Sequence, residues 1–417
     1  MGSISKVFTS LAIMQLRDKG LIELNTPVRQ YLPWFSTKNS TLSDQITVLH
    51  LLNHTSGLPG RLNVHDIDGF DPDHIAKQIN RKLLDVQLIA DPGESYEYTN
   101  MNYDLLELII EKMTGTTYPT YLKENIFLPL EMNRSGVFEG NELPNTATGH
   151  RYIWGELTPF NESLSYATLG SAGLSTNAED FGKYISFLIR DSQGMDNPVL
   201  ETDSLKEMHS ASAYDNSMGF GYGWDITSRT IEKKGGLPGF AANLIIFPTK
   251  SYGFALLSNS KQDVTDQINF NISRILEGDT VRVLSNDDFP KVSRVNMILL
   301  VISGLLAIIV LLLWVTTLVQ MIRRKHSYSL RRPDLMRILV CWVLNGMLLI
   351  AVLAYIYLII PFQSGVPSLY QLTTAPDTVR GLTLLGCMYT IFSISLGIQP
   401  FIHKGRSDKN ETVMVLK

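Results

Sequence analysis

Gly2-Ser3-Ile4-Ser5-Lys6-Val7-Phe8-Thr9 follows a single methionine at the start of this 417-residue chain. On a helix, a spacing of three brings Ser3 and Lys6 to one face, within reach of each other. A serine hydroxyl is a weak nucleophile until a neighbouring base takes its proton, and a lysine amine stripped of water does so near neutral pH. A helix N-terminus behind Ser3 adds positive potential for the alkoxide that forms. Val7, Leu11, Met14 and Leu16 carry the helical period to Arg17, and Lys19-Gly20 stops it. Alone, the same pattern describes many solvated helix residues, so the rest of the chain has to weigh it.

The net charge of −4 conceals a division. From Lys291 onward there are 13 Lys and Arg against 4 Asp and Glu, which leaves 23 against 36 in the first 290 residues. An acidic domain without basic runs argues against a nucleic-acid partner. The basic portion is also the apolar one: 295–322, 338–360 and 382–402 are each long enough to cross a bilayer. The sequence therefore predicts three transmembrane helices, with the lipid bilayer as a partner. Between the first two runs lie six basic residues (Arg323, Arg324, Lys325, Arg331, Arg332, Arg337), against Arg380 alone between the second and third. The positive-inside rule then puts the six-charge loop and the tail, 403–417, in the cytoplasm and the first domain outside. The expected organisation is a domain over 1–276, a polar linker over 277–294 and the membrane region over 295–402.

Cys341 and Cys387 both fall in the apolar runs, so the outer domain has no disulfide and no thiolate metal site. Its six histidines (50, 54, 65, 74, 150, 209) show no zinc-ligand spacing. No metal or organic cofactor is expected.

Helical periods recur at Thr47–Asn53, Met101–Thr114 (stopped by Gly115), Tyr118–Phe127 and Asn177–Arg190. Strand signals cluster late, at Gly221–Ile226, Arg229–Lys233, Ala242–Phe247 and Gly253–Leu257, separated by turn residues. Helices first and an antiparallel meander last predict an α+β fold, a helical subdomain against a sheet.

Two further segments carry possible chemistry. Tyr98-Thr99-Asn100 precedes a helix, where a phenol can move a proton and an amide can hold a substrate carbonyl. Equally, Tyr98 packs and Asn100 caps the helix. Lys233-Lys234-Gly235-Gly236-Leu237-Pro238-Gly239-Phe240 reads as an edge strand with glycines, open to a substrate backbone and able to turn an N–H to an oxyanion. It also reads as a glycine-rich hairpin with solvated lysines. His54-Thr55-Ser56-Gly57 reads as structural support.

Together these segments resemble the serine β-lactamase and penicillin-binding-protein family, on the side of class C β-lactamases, D-alanyl-D-alanine peptidases and related esterases. The resemblance spans residues 2–260 and includes Gly20-Leu21-Ile22-Glu23-Leu24, Leu51-Leu52-Asn53-His54-Thr55-Ser56-Gly57, Pro92-Gly93-Glu94, Gly173-Leu174-Ser175-Thr176 and Gly221-Tyr222-Gly223-Trp224. It implies a β-lactamase-like fold with Ser3 as acylated nucleophile, Lys6 as its base, Tyr98 as proton shuttle and Asn100 as substrate-amide ligand. It also implies that Lys233, Lys234, Gly235 and Gly236 bind substrate, the oxyanion hole being the N–H groups of Ser3 and Gly236. A register one residue later, Lys234-Gly235-Gly236, stays open. Lys234 stands where the family has Thr or Ser, a hydroxyl that the resemblance assigns to holding a substrate carboxylate.

The implied function is a membrane-anchored, extracytoplasmic serine hydrolase of amide, ester or β-lactam carbonyls, with cell-wall peptides as the expected substrates. Its rival is a non-catalytic penicillin-binding receptor. The resemblance further implies sheet strands ahead of Ser3, and no leader segment precedes it. Met1 is accordingly expected to be an internal or misassigned start, and the domain to be N-terminally truncated.

Overall fold

Helix α1 (Ser5–Asp18) is buried on every side from Ser5 to Leu16, which places it in the middle of the domain. The sequence period gives it one apolar face. The structure also buries Phe8, Ala12 and Ile13, because α1 is enclosed by other elements instead of lying on the surface. Its polar residues are matched one by one. Ser5 Oγ donates to Gly2 O (2.8 Å) and accepts from Leu174 N (3.0 Å). Thr9 Oγ1 donates to Gly170 O (2.6 Å), and Gln15 Nε2 to Val199 O (2.9 Å). A buried polar group left unpaired costs about 1–3 kcal/mol, so these side chains also fix which segments pack on α1.

The computed structural model describes residues 1–283 apart from positions 61, 63, 65, 66, 68 and 70 and segments 139–144, 154–155, 161–164, 191–198, 216–217 and 261–262. Beyond 283 it describes scattered positions between 301 and 403. The chain divides into two units, Met1–Arg151 with Leu157–Phe289, and Tyr152–Glu156 with Pro290–Lys417. The site lies in the first. In the second, Ser327–Tyr328 pairs antiparallel with Ile402–His403. The apolar run 338–360 lies outside the described residues, and 295–322 and 382–402 are described only at scattered positions. Among the described residues, no helix is long and apolar enough to cross a membrane.

Other helices of the domain follow along the chain. Helix α2 (Val48–Leu52) is capped by Thr47 Oγ1, which accepts from His50 N at 3.3 Å. Helix α3 (Pro72–Leu83) buries Ile75, Ile79 and Leu83 at a spacing of four. Helix α4 (Met101–Thr114) ends on Gly115 in the left-handed region (φ 69°). Helix α5 (Ala178–Arg190) begins after Asn177, whose Oδ1 accepts from Glu179 N and Asp180 N at 3.0 and 3.1 Å.

Six strands make the late antiparallel meander: β1 (Ala213–Asp215), β2 (Met218–Gly221), β3 (Trp224–Ile226), β4 (Ile231–Leu237), β5 (Phe240–Phe247) and β6 (Tyr252–Ser258), paired in chain order. The single strand expected at Gly221–Ile226 is two. Tyr222 and Gly223 both take positive φ (43° and 89°) and turn the chain in two residues. Strand β4 is not a sheet edge, as the sequence suggests, but an interior strand with an open stretch. β3 pairs with Ile231 and Glu232, so among the described residues Lys233 to Leu237 have a strand neighbour on the β5 side alone. Helix α6 (Asp263–Glu277) follows the sheet.

Candidate active site

Ser3 sits in the tight helical turn Gly2–Ile4 that leads into α1, and this turn packs on β4 and β5. Two glycines permit the approach. Gly2 has φ 60°, and a Cβ on it would stand 2.6 Å from Gly236 N. A Cβ on Gly235 would stand 2.0 Å from Met1 O. The Ser3 turn therefore lies directly on the open stretch of β4, beside the backbone of Gly236.

Lys6 follows one helical turn later and is 0% exposed. Its Nζ donates to Ser3 Oγ (3.3 Å), Asn100 Oδ1 (2.8 Å) and Ser171 O (3.0 Å). An ammonium has three N–H donors, and here each has an acceptor. Once the proton is lost, the two carbonyl oxygens hold the two remaining N–H groups and the lone pair points at Ser3 Oγ. Burial lowers the Lys6 pKa from 10.5 to about 7, against the opposing charges of Asp104 and Asp225. A base near neutrality is what serine activation needs.

Tyr98 donates to Ser3 Oγ at 2.7 Å from the other side. The ring stands at the rim, 36% exposed, with the hydroxyl turned inward. Loss of solvent around that hydroxyl raises its pKa above 10, while Lys233 and the Ser3 hydrogen bond oppose the shift. Tyr98 is thus a phenol at neutral pH. Asn100 occupies the capping position of α4 but makes no side-chain cap; its amide oxygen goes to Lys6 instead. The two readings of Asn100 in the sequence are separated by this contact.

The loop read as structural support holds Tyr98. His54, buried, takes φ 55° and its ring lies 4.6 Å from that of Tyr98. Its Nδ1 accepts from Thr99 N (3.3 Å) and lies 3.1 Å from Asn102 Nδ2, which assigns the proton to Nε2. Burial, then Lys6 and Lys233, lower its pKa well below 6.5. It is a neutral prop.

Strand alternation separates the two lysines. Lys233 is 4% exposed, pairs with Asp225 Oδ1 at 3.3 Å and lies 5.5 Å from the Tyr98 ring centre. Lys234 faces the other way and pairs with Asp266 of α6 at 3.0 Å, both side chains more than half exposed. Of the expected substrate-binding residues, Asn100, Lys233, Gly235 and Gly236 gather around Ser3. Lys234 does not, because the residue after an inward one in a strand points outward. Sequence reading missed Ser171, Asp225 and Asp104. Only Asp104 left a signal, an acid four residues after Asn100 on one helix.

A serine between a buried lysine and a tyrosine, set on an α+β domain beside an open strand, defines a class of acyl-transfer sites. The family described as Beta-lactamase matches residues 1–274, and the chain belongs to it. Protein flp of Staphylococcus aureus (strain N315) is 24% identical over 413 residues, covering 97% of this chain and 80% of that protein. Penicillin-binding protein 4* of Bacillus subtilis (strain 168) is 27% identical over 291 residues, 63% of this chain and 61% of its own length. Among solved structures, the octameric penicillin-binding protein homologue from Pyrococcus abyssi superposes with a TM-score of 0.54 at 26% identity, covering 67% of this chain and 66% of that one.

Proposed function

We propose that this protein is an acyl-serine hydrolase of β-lactams or D-amino-acid-containing peptides, tethered to the membrane with its catalytic domain outside the cell. The observation that carries the reading is Ser3 Oγ set between Tyr98 OH at 2.7 Å and Lys6 Nζ at 3.3 Å. Neutral Lys6 takes the Ser3 proton as Oγ attacks the carbonyl carbon. Tyr98, a phenol, gives its proton to the leaving nitrogen or oxygen and is recharged from Lys6. The N–H groups of Ser3 and Gly236 face the oxyanion, and the open stretch of β4 receives the substrate backbone. Water then enters by the reverse proton path and frees the acyl group. The relatives named as penicillin-binding proteins support a β-lactam carbonyl within the substrate class.

The tether rests on the three apolar runs and on the charge bias of their loops. Pairing of Ser327–Tyr328 with Ile402–His403 supports one common side for the six-charge loop and the tail. Protease added to intact cells should remove the domain and spare a tag after residue 417; loss of the tag refutes this topology.

The deciding experiment treats the purified full chain with a fluorescent penicillin, chromogenic esters and D-alanyl peptides. Wild type should be labelled on Ser3 and turn over, and Ser3→Ala should do neither. No label and no turnover, or turnover unchanged in Ser3→Ala, removes the hydrolase reading. Fast labelling that never turns over selects the receptor.

A further inference from the structure

Acyl-serine chemistry leaves the buried carboxyl of Asp104 without a task. Asp104 lies on α4 four residues after Asn100, so the two share a helix face, and Asn100 Oδ1 holds Lys6 from that face at 2.8 Å. The Asp104 residue is 1% exposed, and neither carboxyl oxygen completes a hydrogen bond of normal geometry. Ser171 links the two groups: it lies against the Asp104 carboxyl, and its carbonyl accepts from Lys6 Nζ at 3.0 Å. A nearby cation stabilises a carboxylate buried this deeply, and the carboxylate in turn favours the protonated lysine.

We propose that Asp104 is a positioning residue for acylation: it is the counter-ion of Lys6 and sets the strength of Lys6 as the base for Ser3. The inference rests on the acyl-serine reading above. The other charged groups around the pair are already accounted for. Lys233 is paired with Asp225 on the sheet. His54 is held neutral, and Tyr98 and Tyr103 remain phenols because burial raises both. Further along α4, burial raises Glu107 well above the carboxylate range, and Tyr118 stays a phenol for the same reason. That leaves Lys6 and Asp104 to titrate. Burial lowers Lys6 against the opposing charge of Asp104, and raises Asp104 against the hydrogen bonds of Ser171 and the charge of Lys6.

In the acylation step the Ser3 O–H bond breaks, the Oγ–carbon bond forms, and the proton arrives on Lys6 as a third N–H. The Asp104 carboxylate stabilises that ammonium, and the proton leaves again through Tyr98 to the departing group.

The test uses the purified full chain as wild type, Asp104→Asn, Lys6→Met and the double variant, with two readouts. The first is the pH dependence of Ser3 labelling by a fluorescent penicillin. Asp104→Asn should move the rising limb to lower pH by about one unit or more, with a lower plateau, since the amine loses the charge that held its proton. A purely structural Asp104 would lower the rate without moving the limb, and an unmoved limb overturns the proposal. The second readout is a double-mutant cycle in thermal unfolding, which needs no activity. Removing either charge strands the other, so the double variant should lose less than the two single losses together. Additive losses overturn the pairing. If wild type shows no Ser3-dependent labelling, the acyl-serine reading fails separately and the unfolding cycle alone decides the pairing. Asp104→Val, close in volume and uncharged, replaces Asp104→Asn in both readouts if that variant does not fold.

Discussion

Gly235→Ala isolates the contact that joins the nucleophile to the sheet. The added Cβ would stand 2.0 Å from Met1 O and 3.1 Å from Ile4 N, both backbone atoms of the turn that carries Ser3. An ordinary carbon–oxygen contact is about 3.4 Å, so the turn and β4 must separate by roughly 1.4 Å. Overpacking costs about 1–3 kcal/mol, and the upper end applies because neither partner is a flexible side chain. At about 2–4 °C per kcal/mol in a domain of this size, the unfolding midpoint should fall by roughly 6–12 °C. Displacing a reacting atom by about 1 Å costs on the order of 100-fold in rate, so labelling of Ser3 should fall by that factor. Two glycines calibrate the result. Gly182, inside α5, has nothing within 4 Å of an added Cβ, and Gly182→Ala should stabilise by about 0.5–1 kcal/mol. Gly115 has equally open space but φ 69°, and Gly115→Ala should cost about 1–2 kcal/mol with labelling unchanged. Calorimetry and stopped-flow labelling measure both quantities. Gly235→Ala with a wild-type midpoint and a wild-type labelling rate would show that the Ser3 turn does not lie on β4 as described.

Four other outcomes follow from the site. Because burial lowers Lys6 from 10.5 to about 7, labelling should rise with pH through a midpoint near 7; a midpoint near 10 contradicts the buried amine. The unfolded chain keeps this proton up to 10.5 while the folded one releases it near 7, so the Lys6 contribution to stability rises with pH between those values. Chemical unfolding of wild type against Lys6→Met across that window checks the sign. Tyr98→Phe removes only the hydroxyl that donates to Ser3 at 2.7 Å, so labelling should fall by about 100- to 10,000-fold with the unfolding midpoint little changed; an unaffected rate would remove Tyr98 from proton transfer. Lys233→Met strands Asp225 and should cost about 3–5 kcal/mol, whereas Lys234→Met breaks an exposed pair and should cost under about 1 kcal/mol. Equal losses in urea unfolding would mean that the two lysines do not face opposite ways.

Local features of this chain are legible in one dimension. Residues three or four apart on a helix must share a face, so Ser3 and Lys6 could be paired, and the stops at Gly20 and Gly115 follow from backbone freedom. The α+β order and the late meander follow from the change of apolar period, although Tyr222-Gly223 concealed a hairpin because both residues turn with positive φ. Other features depend on what packs against what. Period-two alternation says that Lys233 and Lys234 face opposite ways, but only the turn carrying Ser3 on one side and α6 on the other says which faces inward. Asn100 caps helices as readily as it binds ammonium, and burial of Lys6 made the choice. Ser171 is 165 residues from the lysine it holds, and no spacing rule spans that distance. The sequence by itself determined that Ser3 and Lys6 share one helix face and singled out Tyr98, Asn100 and Lys233 as candidates. Tertiary structure decided their protonation, because the pKa of Lys6 depends on excluded water and on Asp104 and Asp225, which only folding brings close.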